Sequence, residues 1–359
     1  MFLLRLKFVL KMNIMKKESN MKKITSVDLF AGVGGMRIAL NKAIKKLGLI
    51  DECKLYSDLN SYCQKTYNAN FPNTPLLEDI KTVKINEINK KIPDHDILLA
   101  GFPCQPFSKA GISNRNFLKR SHGFKDKDQG NLFFNILEIL NKKKPKAFLL
   151  ENVQHLKNYD NGNALKLILK LLRKNYYVPE PEVLDAKDFG LAQKRTRIFI
   201  VGFLNKNSEF VYPKPTYKKT KVEDFLDLYP NKEYVISDLL WKSHKKRKLR
   251  NEKAGKGFGY KMTYPSDKFT RTISSRYGKD GGECLIYRGE NKNPRMLSPR
   301  EAFRLQGFPE KFKIPVKKTY AYQQAGNAVP INVVEKICYK IVRYLLLDEN
   351  KYINNKKAS

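Results

Sequence analysis

The chain has 359 residues, enough to bury a sizeable core and to divide into one large and one smaller unit. Seventy Lys and Arg face thirty-five Asp and Glu, a formal charge of +35 that suits a polyanionic partner, although Lys richness also follows from base-composition bias. Five cysteines and four histidines, scattered without metal-ligand spacing, argue for a reduced intracellular protein with no metal and no disulfide framework, and no run approaches the roughly 20 apolar residues that span a bilayer.

Residues 1–20 open with an apolar run that Arg5 and Lys7 interrupt and that no small-residue cleavage site follows, so they read as a disordered extension or a mis-called start and not as an export signal. From Ile24 to Phe203 short apolar runs alternate with amphipathic stretches, the pattern of an α/β unit whose parallel sheet is covered by helices. The runs are ITSVDLF, CKLYSDL, DILLAGF, AFLLENV and RIFIVGF; helices are predicted over 36–47, 132–140 and 164–172. Beyond Phe203 the alternation stops. Pro213, Pro215 and Pro230 break the chain, residues 242–261 carry nine Lys or Arg against one Glu, and glycines interleaved with Tyr and Phe predict short strands and turns. At Ser298 the run Ser-Pro-Arg-Glu predicts a capping box with proline at the first helical position, and Gly307 a stop. Apolar spacing over 331–347 predicts a last helix that packs back on the first unit.

Ligands of open α/β sheets bind beyond the carboxyl ends of the strands, which singles out Asp28 to Gly35, Asp58, Gly101 to Ser108, and Glu151 with Asn152. In VDLFAGVGG the glycines Gly32, Gly34 and Gly35 let backbone approach a ligand, or simply make a tight strand-to-helix turn. The pattern departs from both the dinucleotide and the phosphate-loop motifs, so it suits a nucleotide-like donor without phosphates. Asp58 is either an acceptor for ribose hydroxyls or a surface turn residue.

GFPCQPFS holds Cys104 between two prolines on stiffened backbone at the rim of the sheet. A free thiol with pKa near 8.5 is only about 3% thiolate at pH 7, so a nucleophilic role needs about 2 kcal/mol of local stabilisation; an inert buried cysteine is the alternative. Glu151 ends an apolar run, where desolvation lets a carboxyl carry a proton near neutral pH, and Asn152 reads as a tie for the following loop. QKRTRIFIVGF puts Arg195 and Arg197 at alternate positions, both facing a base oxygen or phosphate, or else lying on a solvated edge strand.

DLFAGVGG, GFPCQPFS, ENV, QKRTR, RMLSPREAFRLQGFP and QQAGNAVP follow one another as in the bacterial cytosine-5 DNA methyltransferases of restriction-modification type, and the chain resembles that family from Lys23 onward. The resemblance implies a Rossmann-like S-adenosylmethionine-dependent catalytic domain over 21–203, completed by 320–350, and a smaller, irregular, β-containing target-recognition domain over 204–319. It implies methylation at carbon 5 of a cytosine flipped out of a specific double-stranded DNA site, through a covalent adduct to Cys104, with Glu151, Arg197, Arg195 and Asn152 as the other catalytic residues. Phe30, Ala31, Gly32, Gly34, Gly35, Asp58, Leu59, Asp79, Ile80, Pro103, Leu132, Asn327 and Ala328 would form the S-adenosylmethionine pocket, the family usually having Glu where Asp58 stands.

Gln105, Ser108, Arg115, Lys119, Arg120, Lys256 and Thr272 would meet DNA. A monomer in the cytoplasm, without metal or membrane contact and beside a separate companion restriction endonuclease, completes the expectation. The alternatives are a tRNA cytosine-5 methyltransferase of the same fold and a catalytically silent DNA-binding protein. Gly101 and Phe102 before the Pro-Cys pair, with Arg304 to Phe308, favour DNA; intact Cys104, Glu151 and Arg197 favour an enzyme.

Overall fold

The computed structural model describes residues 22–102, 132–205, 209–257 and 259–358, with side chains described as far as residue 347. The chain opens with β1 (Lys23–Leu29), α1 (Gly35–Lys46), β2 (Ile50–Ser57), α2 (Ser61–Asn70), β3 (Leu76–Leu77), a short α3 (Ile88–Lys91) and β4 (Ile97–Gly101). It continues through α4 (Leu132–Lys143), β5 (Ala147–Val153), α5 (Asn163–Leu172), β6 (Glu182–Asp185) and β7 (Thr196–Phe203). These strands form one seven-stranded sheet in the order β3-β2-β1-β4-β5-β7-β6. All five apolar runs are strands. The edge strands β3 and β6 escape sequence reading because two and four residues are too short to display a period.

The expectation of a parallel sheet holds except at β7, which runs antiparallel to both β5 and β6. Only residues 186–195 separate β6 from β7, fewer than a parallel crossover needs, so the chain turns back on itself. Beyond β7 come α6 (Asp238–Lys253), β8 (Met262–Thr263), β9 (Leu285–Ile286), α7 (Pro299–Arg304), α8 (Lys318–Asn327) and α9 (Ile331–Ala358). Helix α9 lies along α1.

Apolar side chains cover both faces of the sheet. On one, Val27, Leu29, Leu98, Leu150 and Ile200 pack under Phe133 and Ile136 of α4 and Ile168 of α5. On the other, Ile24, Leu99, Leu149 and Phe199 join Leu40 of α1 and Ile337 of α9, and Ile273, Leu297, Phe303 and Tyr322 extend the same cluster. The apolar residues that follow β7 therefore continue a face of the sheet core and do not close on themselves.

Residues 242–261 differ from the expectation of strands and turns, because most of the basic run is helix α6. Ser237 caps it, accepting the Leu240 N–H at 3.3 Å, while Asp238 in its first turn and Arg250 and Lys253 in its last complement the helix dipole. His244 is its one buried side chain, so no apolar repeat betrays it. A polar clasp holds it instead: His244 Nε2 lies 3.0 Å from the Asp280 carbonyl, and Arg247 donates to the Asp280 carboxylate at 2.9 Å. The strands here shrink to β8 and β9, a two-residue parallel pair.

At α7 the reading of the sequence is matched atom by atom. Ser298 Oγ accepts the Glu301 N–H at 3.1 Å, Glu301 Oε2 accepts the Ser298 N–H at 2.7 Å, and Gly307 turns the chain with φ +88. What the motif does not reveal is that Glu301, with 0% exposure, also receives both terminal nitrogens of Arg295 at 2.7 and 2.8 Å and the Asp227 N–H at 2.7 Å. Removing that carboxylate leaves a buried guanidinium without its partner. Glu301→Ala is expected to lower the free energy of unfolding in urea by about 3–5 kcal/mol; a loss below about 1 kcal/mol, the range of an exposed pair, would contradict this account.

Candidate active site

The strand order reverses between β1 and β4, and the crevice outside their carboxyl ends is where a doubly wound sheet binds ligands. Register brings the singled-out segments to that rim. Leu29 pairs with Ser57 and with Ala100, Gly101 pairs with Glu151, and Val153 pairs with Arg197.

On the β1 side the turn into α1 uses three left-handed residues, Phe30 (φ +54), Gly32 (φ +56) and Gly34 (φ +86). Ala31 N–H donates to the Ser57 carbonyl at 2.9 Å and Gly32 N–H to Asp58 Oδ2 at 2.8 Å, so the end of β2 shapes the turn. The glycines serve different ends. A Cβ on Gly34 would lie 2.5 Å from Phe71 Cε2 and one on Gly35 2.9 Å from Val329 Cγ2, whereas one on Gly32 would meet nothing within 4 Å. Gly34 and Gly35 admit close packing against the end of α2 and the segment after α8; Gly32 presents bare backbone to open space.

Asp58 spends its other oxygen on the Asn60 N–H, at 2.8 Å. Burial raises its pKa, and the N–H groups of Asn60 and Gly32 pull it back down. Each oxygen keeps a further lone pair for a hydroxyl. Beside it Leu59 is 63% exposed, while Ile80 is buried and Asp79 caps the turn at 80–82 by accepting the Lys81 N–H at 2.8 Å. Leu132 begins α4 half-buried, Asn327 is exposed at the end of α8, and Ala328 donates to the Gln324 carbonyl at 3.0 Å.

Sequence reasoning missed what lies beneath the turn. Arg37 of α1 donates to Thr74 Oγ1 at 2.7 Å and the Tyr67 hydroxyl at 3.3 Å, and its guanidinium sits 4.2 Å from the Phe71 ring centre. It is set against Asp28, whose complete burial pushes its carboxyl to about 7 despite the pull of Arg37. Nothing in the spacing of residues 28, 37, 67 and 71 announces that they meet.

On the β5 side, burial raises the pKa of Glu151, and Arg197 and Arg195 oppose it. Arg197 Nε lies 3.0 Å from Glu151 Oε1, an ion pair that is nearly shielded from water on both sides. Asn152 is buried; its Nδ2 donates to the Phe102 carbonyl at 2.9 Å and its Oδ1 accepts the Val153 N–H at 2.8 Å. It thereby pins the chain just where the Pro-Cys segment leaves β4.

Arg195 is closed off from any base oxygen or phosphate. It is 1% exposed and donates from Nη1 to the Ile273 carbonyl at 3.1 Å and from Nη2 to the Gly326 carbonyl at 2.8 Å. Its environment is set by the segments at Ile273 and Gly326, which alternation along the chain does not register.

Pro103, Cys104, Gln105, Ser108, Arg115, Lys119 and Arg120 lie outside the described residues. Lys256 is exposed after α6, its N–H donating to the Asn251 carbonyl at 2.8 Å, and the exposed Thr272 gives its hydroxyl proton to the Lys194 carbonyl. Among the described residues no group of three or more His, Cys, Asp or Glu is arranged to hold a metal, and no helix is long and apolar enough to cross a membrane.

Comparison with known proteins matches this arrangement to one family. The family model described as C-5 cytosine-specific DNA methylase matches residues 24–343. Type II methyltransferase M.DsaV of Dactylococcopsis salina is 44% identical over 333 residues, spanning 92% of this chain and 89% of that protein. Type II methyltransferase M.NlaX of Neisseria lactamica is 46% identical over 311 residues, spanning 87% and 94%. In fold, the S. pombe Dnmt2 methyltransferase is similar at a TM-score of 0.71 with 19% identity, over 90% of this chain and 99% of that one. With the match running from β1 into α9 and relatives above two-fifths identity over most of both chains, this protein belongs to the C-5 cytosine-specific DNA methylase family.

Proposed function

We propose that this DNA cytosine methyltransferase works on a cytosine turned out of a specific duplex site, with Cys104 as nucleophile and the Glu151–Arg197 pair as the polar half of the base pocket. The observation that carries the reading is that pair, 3.0 Å apart and shielded from water, on the strand next to β4, whose end leads directly into Pro103 and Cys104.

Use of S-adenosylmethionine follows from the family. The residues at the β1 end suit it: the open backbone at Gly32 admits a close-lying ligand, and the free lone pairs of Asp58 suit ribose hydroxyls. Phe30, Ala31, Leu59, Asp79, Ile80, Leu132, Asn327 and Ala328 would surround the remainder, while Gly34 and Gly35 support the turn from behind. Bound there, the donor supplies the methyl group that carbon 5 of the activated ring takes up.

A ring carbon inside the base stack is out of reach, so the base must leave it, at a cost of a few kcal/mol. Cys104 as thiolate then bonds to carbon 6. The electron pair pushed into the ring is stabilised by a proton from Glu151 at the ring nitrogen and by Arg197 at the neighbouring carbonyl. Burial keeps Glu151 protonated at higher pH than an exposed glutamate, and Arg197 limits how far. After methylation, loss of the carbon 5 proton and rupture of the carbon–sulfur bond free the enzyme. Asn152 anchors the segment that carries the thiol, through Phe102.

Gln105, Ser108, Arg115, Lys119, Arg120, Lys256 and Thr272 are proposed DNA contacts, with residues 204–319 as the target-recognition domain set beside a catalytic domain of 21–203 and 320–350. We further propose a monomer in the cytoplasm, without a metal, acting independently of a companion restriction endonuclease.

Cys104→Ser is expected to abolish labelled methyl transfer while duplex affinity stays within about threefold, since phosphate contacts supply most of it; transfer at a near-normal rate would overturn the nucleophile assignment. Bisulfite sequencing of DNA from cells that express the protein should reveal methylation confined to one short site. Glu151→Gln is expected to slow single-turnover transfer by about 10²–10⁴-fold. The pH sign follows from the raised pKa of Glu151: the protonated acid is present below that raised value and disappears as pH climbs through it, so the normal rate declines there and the variant's profile is flat. Persistence of the same alkaline decline in the variant would assign it to another group.

A further inference from the structure

We infer that Arg195 is a positioning residue, whose buried guanidinium keeps the stretch at Ile273 and the end of α8 in fixed register with the strand that carries Arg197. The inference rests on the proposed roles of Arg197 and of the residues after α8. Arg195 bonds the carbonyls of Ile273 and Gly326, at 3.1 and 2.8 Å, from two segments far apart in sequence. Its Nε has no partner, and no carboxylate among the described residues stands within ion-pair distance of it.

A fully buried cation whose guanidinium hydrogen bonds go only to carbonyls, with Glu151 acting on it from beyond ion-pair distance, is an unfavourable way to fill space, and an apolar side chain of the same volume would do that better. An apolar side chain cannot bond two carbonyls from separate segments. Lysine cannot reproduce the arrangement either, because its single ammonium lacks the rigid planar fork.

The surroundings show how closely three segments meet at this point. Thr270 N–H donates to the Ala192 carbonyl and Lys194 N–H to the Thr270 carbonyl, each at 2.9 Å, and Gln193 Oε1 accepts the Ile273 N–H at 3.0 Å. Gln193 Nε2 reaches the Leu305 carbonyl at 3.2 Å, and Gln306 Nε2 the Ala325 carbonyl at 3.1 Å. A Cβ on Gly326 would lie 2.2 Å from the carbonyl carbon of Ser274, so the two backbones touch. Asn327 and Ala328 follow Gly326 directly, Thr272 precedes Ile273, and Arg197 stands two residues beyond Arg195. Arg195 is the side chain that bonds both the recognition stretch and the donor end of the crevice from just before the strand that carries Arg197, adding to these backbone and glutamine bonds.

The test compares Arg195→Met and Arg195→Lys with the unmodified full chain. Active sites are counted by prolonged covalent trapping on duplex DNA containing 5-fluorocytosine with donor present, and turnover is expressed per trapped site. Turnover per site is expected to fall by about 10²-fold for Arg195→Met and at least about tenfold for Arg195→Lys, the scale of an ångström-level misplacement. The slope of log affinity for duplex against log salt should not change. Turnover per site within about twofold of normal in either folded variant would reduce Arg195 to a merely structural role and overturn the inference; if Arg195→Met does not fold, Arg195→Lys decides. A slope smaller by about 0.9 would make Arg195 a phosphate contact and overturn it equally. Failure of the unmodified protein to methylate is a separate result, which sinks the proposed function itself.

Discussion

Because β7 runs antiparallel to β5, the beginning of one strand lies beside the end of the other, with Val153 opposite Arg197 and Ala147 opposite Phe203. That reversal is what allows an arginine at the start of one strand to meet a carboxylate near the end of another. Were β7 parallel, Arg197 would sit at the far edge of the sheet, away from the crevice at the carboxyl ends of β1 and β4. The Glu151–Arg197 pair follows from that one pairing, and the parallel pairing of β4 with β5 sets Asn152 to anchor Phe102.

The charge of the protein works on two scales. Over the surface, an excess of cations, concentrated for example on α6, produces a field that attracts polyanions and weakens as salt is added. Inside, burial dominates. It raises the proton affinity of Glu151, Asp28 and Asp58, and in each case specific neighbours oppose it: arginines for Glu151, Arg37 for Asp28, backbone N–H groups for Asp58. A carboxyl group suspended between these influences keeps its proton to higher pH than an exposed one does.

Buried polar side chains elsewhere act on backbone more than on one another. Arg195, Gln193 and Gln306 all reach carbonyls, and Glu301 accepts two backbone N–H groups besides Arg295. Such bonds join segments distant in sequence and carry direction, which apolar contact does not. They explain how the irregular stretch after β7, short of regular strands, still holds defined positions beside the sheet.

Local signals were legible in the chain itself. The five apolar runs, the helices that cover them, the capping box at Ser298 and the turn at Gly307 all depend on residues within a few positions of one another, and propensity and periodicity register such dependence. The order of six motifs also sufficed to indicate the family. The direction of β7, the helix in the basic run, the cluster of Asp28 with Arg37 and Tyr67, the packing roles of Gly34 and Gly35, and the burial of Arg195 were decided only by tertiary structure. Each depends on what lies opposite in space: a connection too short to cross over, a polar clasp to Asp280 in place of an apolar face, a phenylalanine where a Cβ would stand. Spacing along a chain carries no record of those neighbours until the sheet has brought them together.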